Sequence, residues 1–399
     1  MSKPLRTSER VRRLAPSPIR KFFGLVESMP DAISLSIGEP DFVTPWSVRE
    51  AGIFALEKGH THYTHNRGTL RLRQEVASYL ARRFGVEYDP ETEILMTVGV
   101  SEALDLVCRV LFEPGDAVLV VEPSFVAYRP CAELAGATVV SVPTTEDDGF
   151  VPTRARLAPL AAGAKALVLS YPNNPTGAIM TRQQMRPITH LAEREDLLVI
   201  ADEVYAELTY DGEPASFAAM PGMRERTVLL NGFSKAFAMT GWRLGWAAGP
   251  ADIIEAMTKV HAYTMMCVSA SAQEAAAEAL RSGDHEVARM RQEYNQRRRM
   301  VLGRLNAMGL RCFEPRGAFY TFPSIEATGL SSEEFAERLL REEKVAVVPG
   351  SAFGECGEGY VRCSYAASLS ELEEALKRME RFVERCRKRR RPGRRSRAR

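Results

Sequence analysis

The chain has 399 residues, 45% of them hydrophobic and 26% charged, and a formal net charge of +2. This composition is that of an ordinary soluble globular protein and argues against a disordered or fibrous chain. The length exceeds what one hydrophobic core usually holds, so we expect two subdomains rather than a simple binding module.

The N-terminal segment and the cysteines bear on location. The first residues carry charge but no apolar stretch and no small-residue cleavage site, so they do not resemble a secretory signal. No apolar run approaches the roughly 20 residues of a membrane-spanning helix. The seven cysteines are scattered without a C-x-x-C pair, which argues against disulfides and a metal site. We expect a cytoplasmic protein without metal.

Short apolar runs alternate with longer amphipathic segments between about residues 90 and 250. This rhythm predicts an α/β fold with a mostly parallel central sheet flanked by helices. The runs are nearly continuous in apolar residues, as in strands buried on both faces. They cover residues 93–98, 117–121, 166–170, 197–201, 227–231 and 244–248.

Residues from about 281 onward form a second region, which begins with a long charged helix through Leu305. Three short strands are predicted after it, at residues 319–322, 345–348 and 360–364. We therefore predict a large domain over 46–280 and a smaller α+β domain made of 1–45 and 281–384.

Residues 385–399 hold ten Lys or Arg and no acid, which leaves the rest of the chain at −8. Such a segment is expected to be disordered and could touch polyanions loosely. A solvated tail without a part in the chemistry is the favoured reading.

Polar residues follow the predicted strands, at the sheet edge where α/β proteins bind ligands. Ser101 follows the first strand and could cap a helix whose free N–H groups hold a phosphate, although a plain cap is the simpler reading. Asn174 lies in a turn with two prolines and a glycine, YPNNPTG over 171–177. Asp202 follows a wholly apolar strand, where an isolated carboxylate is costly and calls for a cationic partner; a structural salt bridge would also meet that need.

The segment NGFSKAFAMTGWRLG over 231–245 embeds Ser234, Lys235 and Arg243 among glycines and aromatic residues. A lysine desolvated in this way can form a Schiff base, whereas a surface lysine is the plain alternative. Pyridoxal phosphate needs a lysine, a carboxylate beside its ring nitrogen and donors around its phosphate. Together these residues favour that cofactor, with Lys235 also moving the proton at the substrate α-carbon.

Seven segments resemble, in order and approximate spacing, the class I/II aminotransferases of fold type I, especially the aspartate and aromatic aminotransferase branch. The resemblance extends over nearly the whole chain. The segments are SLSIGEPDF (34–42), HYTHNRG (62–68), GVSEA (99–103), NNPTG (173–177), ADEVY (201–205), SKAFAMTGWR (234–243) and YVRCS (360–364).

This resemblance implies a pyridoxal phosphate-dependent aminotransferase that moves an amino group between an L-amino acid and a 2-oxo acid such as 2-oxoglutarate. It implies that Lys235 forms the aldimine, that Asp202 pairs with the pyridine nitrogen, and that Tyr205 and Asn174 bind the phenolic oxygen. It also implies that Phe125 stacks on the ring. The phosphate contacts would be Val100, Ser101, Glu102, Ser234, Arg243 and, from a second subunit, Tyr63.

The same resemblance implies a homodimer with shared sites, in which Arg362, helped by the Gly38 backbone and Asn174, binds the substrate carboxylate. Guanidinium geometry suits that bidentate task. Ser124 and Phe125 depart from the family, where tyrosine and tryptophan are common, so the substrate stays open among aspartate, aromatic, alanine and related amino acids. No residue is assigned to a distal carboxylate.

Two alternatives stay open at this stage. One is a β-lyase on the same fold, since the cofactor site would be almost identical and the sequence does not show which α-carbon bond is broken. The other is a regulatory protein that binds nucleic acid through its basic tail. The latter usually needs a separate winged-helix module, and too few residues precede the first motif to form one.

Overall fold

A seven-stranded sheet forms the centre of the protein. The computed structural model describes residues 7–15, 29 and 31–390. Numbered along the chain, the strands are β1 (Ile33–Ser34), β2 (Ile94–Thr97), β3 (Ala117–Glu122), β4 (Thr138–Pro143), β5 (Ala164–Ser170), β6 (Leu198–Asp202), β7 (Thr227–Gly232), β8 (Gly245–Ala248), β9 (Tyr320–Thr321), β10 (Val345–Ala346), β11 (Val348–Pro349) and β12 (Val361–Ser364).

The large sheet has the strand order β2-β8-β7-β6-β5-β3-β4. Its neighbouring strands are parallel except where β8 pairs with β2 and β7. All six runs predicted between residues 93 and 248 are strands of this sheet. β4 was not predicted, because it is a partly exposed edge strand without a continuous apolar run.

Helices cover both faces of the large sheet and build most of the second region. They are α1 (Glu9–Arg13), α2 (Trp46–Glu57), α3 (Leu70–Phe84), α4 (Gly99–Leu111), α5 (Tyr128–Ala135), α6 (Arg154–Ala161), α7 (Arg182–Arg194), α8 (Ala251–Thr264), α9 (Ala270–Ser282), α10 (Asp284–Ala307), α11 (Ser332–Glu343) and α12 (Leu369–Arg390). Helix α4 shows why they pack: Leu104, Val107, Cys108 and Leu111 recur at helical spacing and are buried.

The segment around β1 joins the C-terminal region. β1 pairs in parallel with β10, and β9, β11 and β12 form a separate antiparallel sheet in the order β11-β12-β9. Leu35 shares a buried cluster with residues of α10, β9 and α12. On these contacts we propose the division into a lobe of 46–280 and a lobe of 31–45 with 281–384; the predicted extension of the second lobe to residue 1 falls largely outside the described residues.

The segment predicted to be disordered from residue 385 onward is helical in its first part. Residues 385–390 continue α12, and Arg385 donates to Glu342 and Glu343, so acidic partners on α11 neutralise its charge. The remaining tail, 391–399, lies outside the described residues. Within the described ranges, no helix has the length and apolar character needed to cross a membrane.

Candidate active site

One cavity of about 380 Å³ opens at the carboxyl ends of the parallel strands. Open α/β sheets bind their ligands at this edge, because loops and helix N-termini converge there. Among the residues lining it are eleven that the sequence analysis selected: Gly38, Val100, Ser101, Phe125, Asn174, Asp202, Tyr205, Ser234, Lys235, Arg243 and Arg362.

Lys235 follows β7, and its Nζ donates a 2.7 Å hydrogen bond to the carbonyl oxygen of Gly38. Burial lowers the pKa of this amine to about 8; the carboxylate of Glu39 opposes that effect, whereas the charge of Arg362 adds to it. A much larger share of the amine is therefore neutral near pH 7 than in an ordinary lysine. A neutral amine is the form that attacks a carbonyl carbon.

Asp202 ends β6 and lies in the same cavity as Lys235. Its Oδ2 accepts a 2.8 Å hydrogen bond from the Tyr128 hydroxyl, and its Oδ1 accepts one of 3.1 Å from the Val204 N–H. Burial raises the pKa of this carboxyl, while the Tyr128 and Val204 hydrogen bonds and the charge of Lys235 lower it. Asp202 makes no ion pair within the described residues, so the predicted cationic partner is absent from them. The cavity beside Asp202 has room for a cationic group of a ligand.

Arg362 on β12 is buried, and two of its nitrogens are held. Nη1 donates to Asn174 Oδ1 at 2.9 Å and Nη2 donates to the Ser36 carbonyl at 2.6 Å. The guanidinium carbon lies 4.5 Å from the ring centroid of Tyr320 and 5.0 Å from that of Phe353. Its Nε has no hydrogen-bond partner among the described residues although it is buried. These contacts fix the guanidinium plane at the cavity wall.

Helix α4 begins at Gly99, and its first turn faces the cavity. The N-cap is Val98 and makes no side-chain cap, so the prediction that Ser101 caps this helix is wrong: Ser101 lies inside the first turn. The first N–H groups of a helix lack partners within the helix and attract anions. Gly99 has φ +72°, and a Cβ there would lie 2.7 Å from Arg243 Nη2. A larger residue at this position would have to displace the Arg243 guanidinium from the helix start.

Two predicted cofactor residues do not line the cavity. The buried Glu102 side chain turns away from it: Oε2 accepts the Val98 N–H at 2.5 Å and Oε1 lies 2.7 Å from His261 Nδ1. The backbone of Glu102 still belongs to the first turns of α4. Tyr63 is 82% exposed and lies outside the cavity of its own chain.

Sequence reasoning missed two tyrosines that the cavity holds. The Tyr320 hydroxyl lies 2.8 Å from the Tyr205 hydroxyl, and the Tyr128 hydroxyl bonds Asp202. Tyr128 lies three residues after Phe125, and Tyr320 lies in a correctly predicted strand. Neither carried a local signal, because each acts through a partner far away in the sequence.

The cavity suits pyridoxal phosphate on its own chemistry. It offers a poorly solvated amine at Lys235, a buried carboxylate at Asp202 with room beside it, and a helix start flanked by Ser234 and Arg243. These are the amine, the ring-nitrogen partner and the phosphate donors that the cofactor requires. The residues present therefore fit the group.

Residues 30–379 match the family described as aminotransferase class I and II. An aspartate aminotransferase of Pyrococcus abyssi is 46% identical over 380 residues, 94% of this chain and 98% of that protein. An aromatic-amino-acid aminotransferase of Thermococcus litoralis is 45% identical over the same shares of both chains. The solved aromatic aminotransferase of Pyrococcus horikoshii superposes with a TM-score of 0.88 at 46% identity, over 91% of this chain and 99% of that one.

These similarities confirm the fold, the cofactor and the reaction class that the motifs predict, and none of them points to a β-lyase. The chain belongs to the class I and II aminotransferases, enzymes that transfer amino groups with pyridoxal phosphate as cofactor.

Proposed function

We propose that this enzyme exchanges an amino group between an aspartate-like or aromatic L-amino acid and a 2-oxo acid, with Lys235 as the residue that binds the cofactor. The observation that carries the proposal is that Lys235 and Asp202 line one cavity, with the amine pKa lowered to about 8. The two amino acid classes are those named for the archaeal relatives, at 45% and 46% identity.

The cofactor would be held at its two ends. Asp202 would pair with the ring nitrogen, and the first turn of α4 with Ser234 and Arg243, which line the same cavity, would hold the phosphate. Phe125 and Tyr205 line the space between, where Phe125 would stack on the ring and the Tyr205 hydroxyl would donate to the phenolic oxygen of the cofactor. When bound, the cofactor supplies an electron sink for the bond broken at the substrate α-carbon. The Tyr128 hydroxyl, which donates to Asp202, would hold that carboxylate in place for the ring nitrogen.

Arg362 would bind the substrate α-carboxylate. Its guanidinium is already fixed by Asn174, by the Ser36 carbonyl and by the ring of Tyr320. Because the folded protein already holds the guanidinium in this orientation, binding a carboxylate costs little further side-chain entropy. The bound amino acid is then held with its α-carbon toward Lys235.

Lys235 Nζ would accept the α-proton of the bound amino acid. A general base works best when its pKa lies near the working pH, and the pKa of this amine is about 8. The Gly38 carbonyl, 2.7 Å away, orients the amine. The same nitrogen can return the proton when the 2-oxo acid reacts in the second half of the cycle.

A homodimer would complete the site. Tyr63 is 82% exposed, and Trp46, Phe54 and Tyr263 are also largely exposed, which is unusual for large apolar side chains. A second copy would cover them and bring Tyr63 to the phosphate of its partner. The seven free cysteines support a cytoplasmic location.

The proposal is tested by half-reactions. Purified enzyme with cofactor is mixed with single amino acids, and the change in cofactor absorbance reports amino transfer. We expect aspartate or aromatic amino acids to react fastest in the wild type. The Lys235→Ala variant should bind cofactor without a covalent link and lose turnover by about a thousandfold or more; repeated turnover in it would refute the role of Lys235.

A further inference from the structure

Two buried hydroxyl groups meet beside the active lysine. The Tyr205 and Tyr320 oxygens are 2.8 Å apart, and their side chains are 5% and 1% exposed. Tyr205 follows β6 of the large sheet, whereas Tyr320 belongs to β9 of the small antiparallel sheet. The contact therefore joins the two parts of the fold at the cavity.

The hydrogen bond has a required direction. Under the proposed function, Tyr205 donates its single proton to the phenolic oxygen of the cofactor. Its oxygen can then only accept from Tyr320, since each hydroxyl has one proton to give. A hydroxyl that accepts a hydrogen bond becomes a stronger donor, because consecutive hydrogen bonds polarise one another. Tyr320 would thus strengthen the bond that Tyr205 makes to the cofactor.

The ring of Tyr320 has a second contact. The Arg362 guanidinium carbon lies 4.5 Å from its centroid, within the range of a cation–π interaction. One side chain consequently touches both the cofactor's tyrosine and the arginine that would bind the substrate carboxylate. The hydroxyl contacts Tyr205 and the ring face contacts Arg362, so a mutation can remove one contact without the other.

Gly38 lies close to the Tyr320 hydroxyl. A Cβ on Gly38 would lie 2.4 Å from the Tyr320 oxygen, and the Gly38 carbonyl accepts the hydrogen bond from Lys235. The backbone at residue 38 therefore lies close to this hydroxyl, and any side chain at residue 38 would displace the hydroxyl from its place beside Tyr205. Without the oxygen, the nearest Tyr320 atom would be the ring carbon at 3.5 Å, an ordinary contact distance.

We propose that Tyr320 is a positioning residue with two separable tasks: its hydroxyl tunes the hydrogen bond of Tyr205 to the cofactor, and its ring orients Arg362 for the substrate carboxylate. The inference rests on the proposed function of Lys235, Tyr205 and Arg362. It assigns a role in the reaction to a residue of the small antiparallel sheet.

The test compares Tyr320→Phe with Tyr320→Leu in the enzyme with its cofactor. In Tyr320→Phe the pH midpoint of the cofactor absorbance should rise by about 0.5 units, because a weaker Tyr205 bond stabilises the ionised cofactor oxygen less. We expect kcat to fall about fivefold and KM to stay within about twofold. In Tyr320→Leu, KM for both substrates should also rise about tenfold, because Arg362 loses its ring contact.

Tyr365→Phe is the matched control. It removes another fully buried tyrosine hydroxyl of the same region, whose 3.2 Å hydrogen bond goes to the Ala318 carbonyl and which does not line the cavity. Its pH midpoint should equal that of the wild type. An unmoved or lowered midpoint in Tyr320→Phe, or an unchanged KM in Tyr320→Leu, overturns the inference.

Gly38→Ala adds an independent check. In the otherwise wild-type enzyme, the new methyl group should displace the Tyr320 hydroxyl and raise the pH midpoint of the cofactor absorbance. In the Tyr320→Phe background the same substitution should raise the midpoint much less. Equal effects in both backgrounds would contradict the proposed contact. Borohydride trapping followed by peptide mass spectrometry separates the two levels of inference: trapping elsewhere than Lys235 defeats the proposed function, whereas trapping at Lys235 with an unmoved midpoint defeats only the role of Tyr320.

Discussion

His261 Nδ1 lies 2.7 Å from Glu102 Oε1, and both side chains are buried, with Glu102 in the first turn of α4. The other Glu102 oxygen accepts the Val98 N–H. A carboxylate that pointed into the phosphate site would repel the phosphate, because like charges at close range repel each other. The imidazole and the Val98 N–H direct it away from the cavity.

His261→Leu should weaken cofactor binding about tenfold, because the buried Glu102 oxygen that loses its imidazole partner costs about 1–3 kcal/mol and the carboxylate can then turn toward the phosphate site. Titrating the cofactor-free protein with pyridoxal phosphate, followed by fluorescence, measures this. Glu102→Gln in the His261→Leu background should recover most of the affinity. A double variant as weak as His261→Leu would mean that the imidazole acts only through packing.

Tyr128→Phe should lower kcat by about three- to tenfold, with little change in KM, since Asp202 loses the 2.8 Å hydrogen bond that orients its carboxylate. Asp202→Ala should be far more damaging, because the ring nitrogen loses its counter-charge. Steady-state kinetics of both variants give the comparison. Equal losses in the two would count against an orienting role for Tyr128.

Gly99→Ala should raise the dissociation constant of the cofactor by tenfold or more. The methyl group would lie 2.7 Å from Arg243 Nη2, and the alanine would also have to adopt a φ of +72°, which side-chain-bearing residues rarely do. Gly85→Ala is the control, since that glycine has a similar φ of +71° at a helix end and a Cβ there meets no atom within 4 Å. Loss of affinity in both variants alike would indicate backbone strain rather than a displaced guanidinium.

Lys235→Met should stabilise the cofactor-free protein below pH 8 by about 3 °C in Tm. The folded protein holds the Lys235 proton up to about pH 8 and the unfolded chain up to its ordinary 10.5. The unfolded state therefore binds more protons between these values, and wild-type stability rises with pH across that window. The advantage of the variant should shrink from pH 8 to 10.5. The exposed Lys377→Met variant should show no such trend in thermal unfolding.

Arg362→Lys should raise KM for both substrates by about a hundredfold while the cofactor spectrum stays near that of the wild type. Lysine cannot reproduce the planar contacts with Asn174 and the Ser36 carbonyl while still binding a carboxylate bidentately. The control is Arg338→Lys, on the distant helix α11, which should keep its KM. A normal KM in Arg362→Lys would place the carboxylate elsewhere.

The sequence by itself determined the family, the sheet and the residues that follow its strands. Lys235, Asp202 and Asn174 were predictable because each stands in a local motif directly after an apolar strand, and parallel strands bring their carboxyl ends to one edge. Local patterns did not predict β4, because this partly exposed strand has no regular hydrophobic period. They also did not predict the helix at residues 385–390, where Arg385 is held by Glu342 and Glu343, which are distant in sequence.

Only the tertiary structure decided which partners hold those residues. Tyr205 and Tyr320 are 115 positions apart, Glu102 and His261 are 159 apart, and Arg362 and Ser36 are 326 apart. No local pattern encodes such pairs, because a hydrogen bond depends on distance in space and the fold alone sets that distance. The residues that carry the chemistry of the site can therefore be recognised in the sequence. The orientation and hydrogen bonding of their side chains come from the packing of the small sheet and α8 against the large sheet and α4.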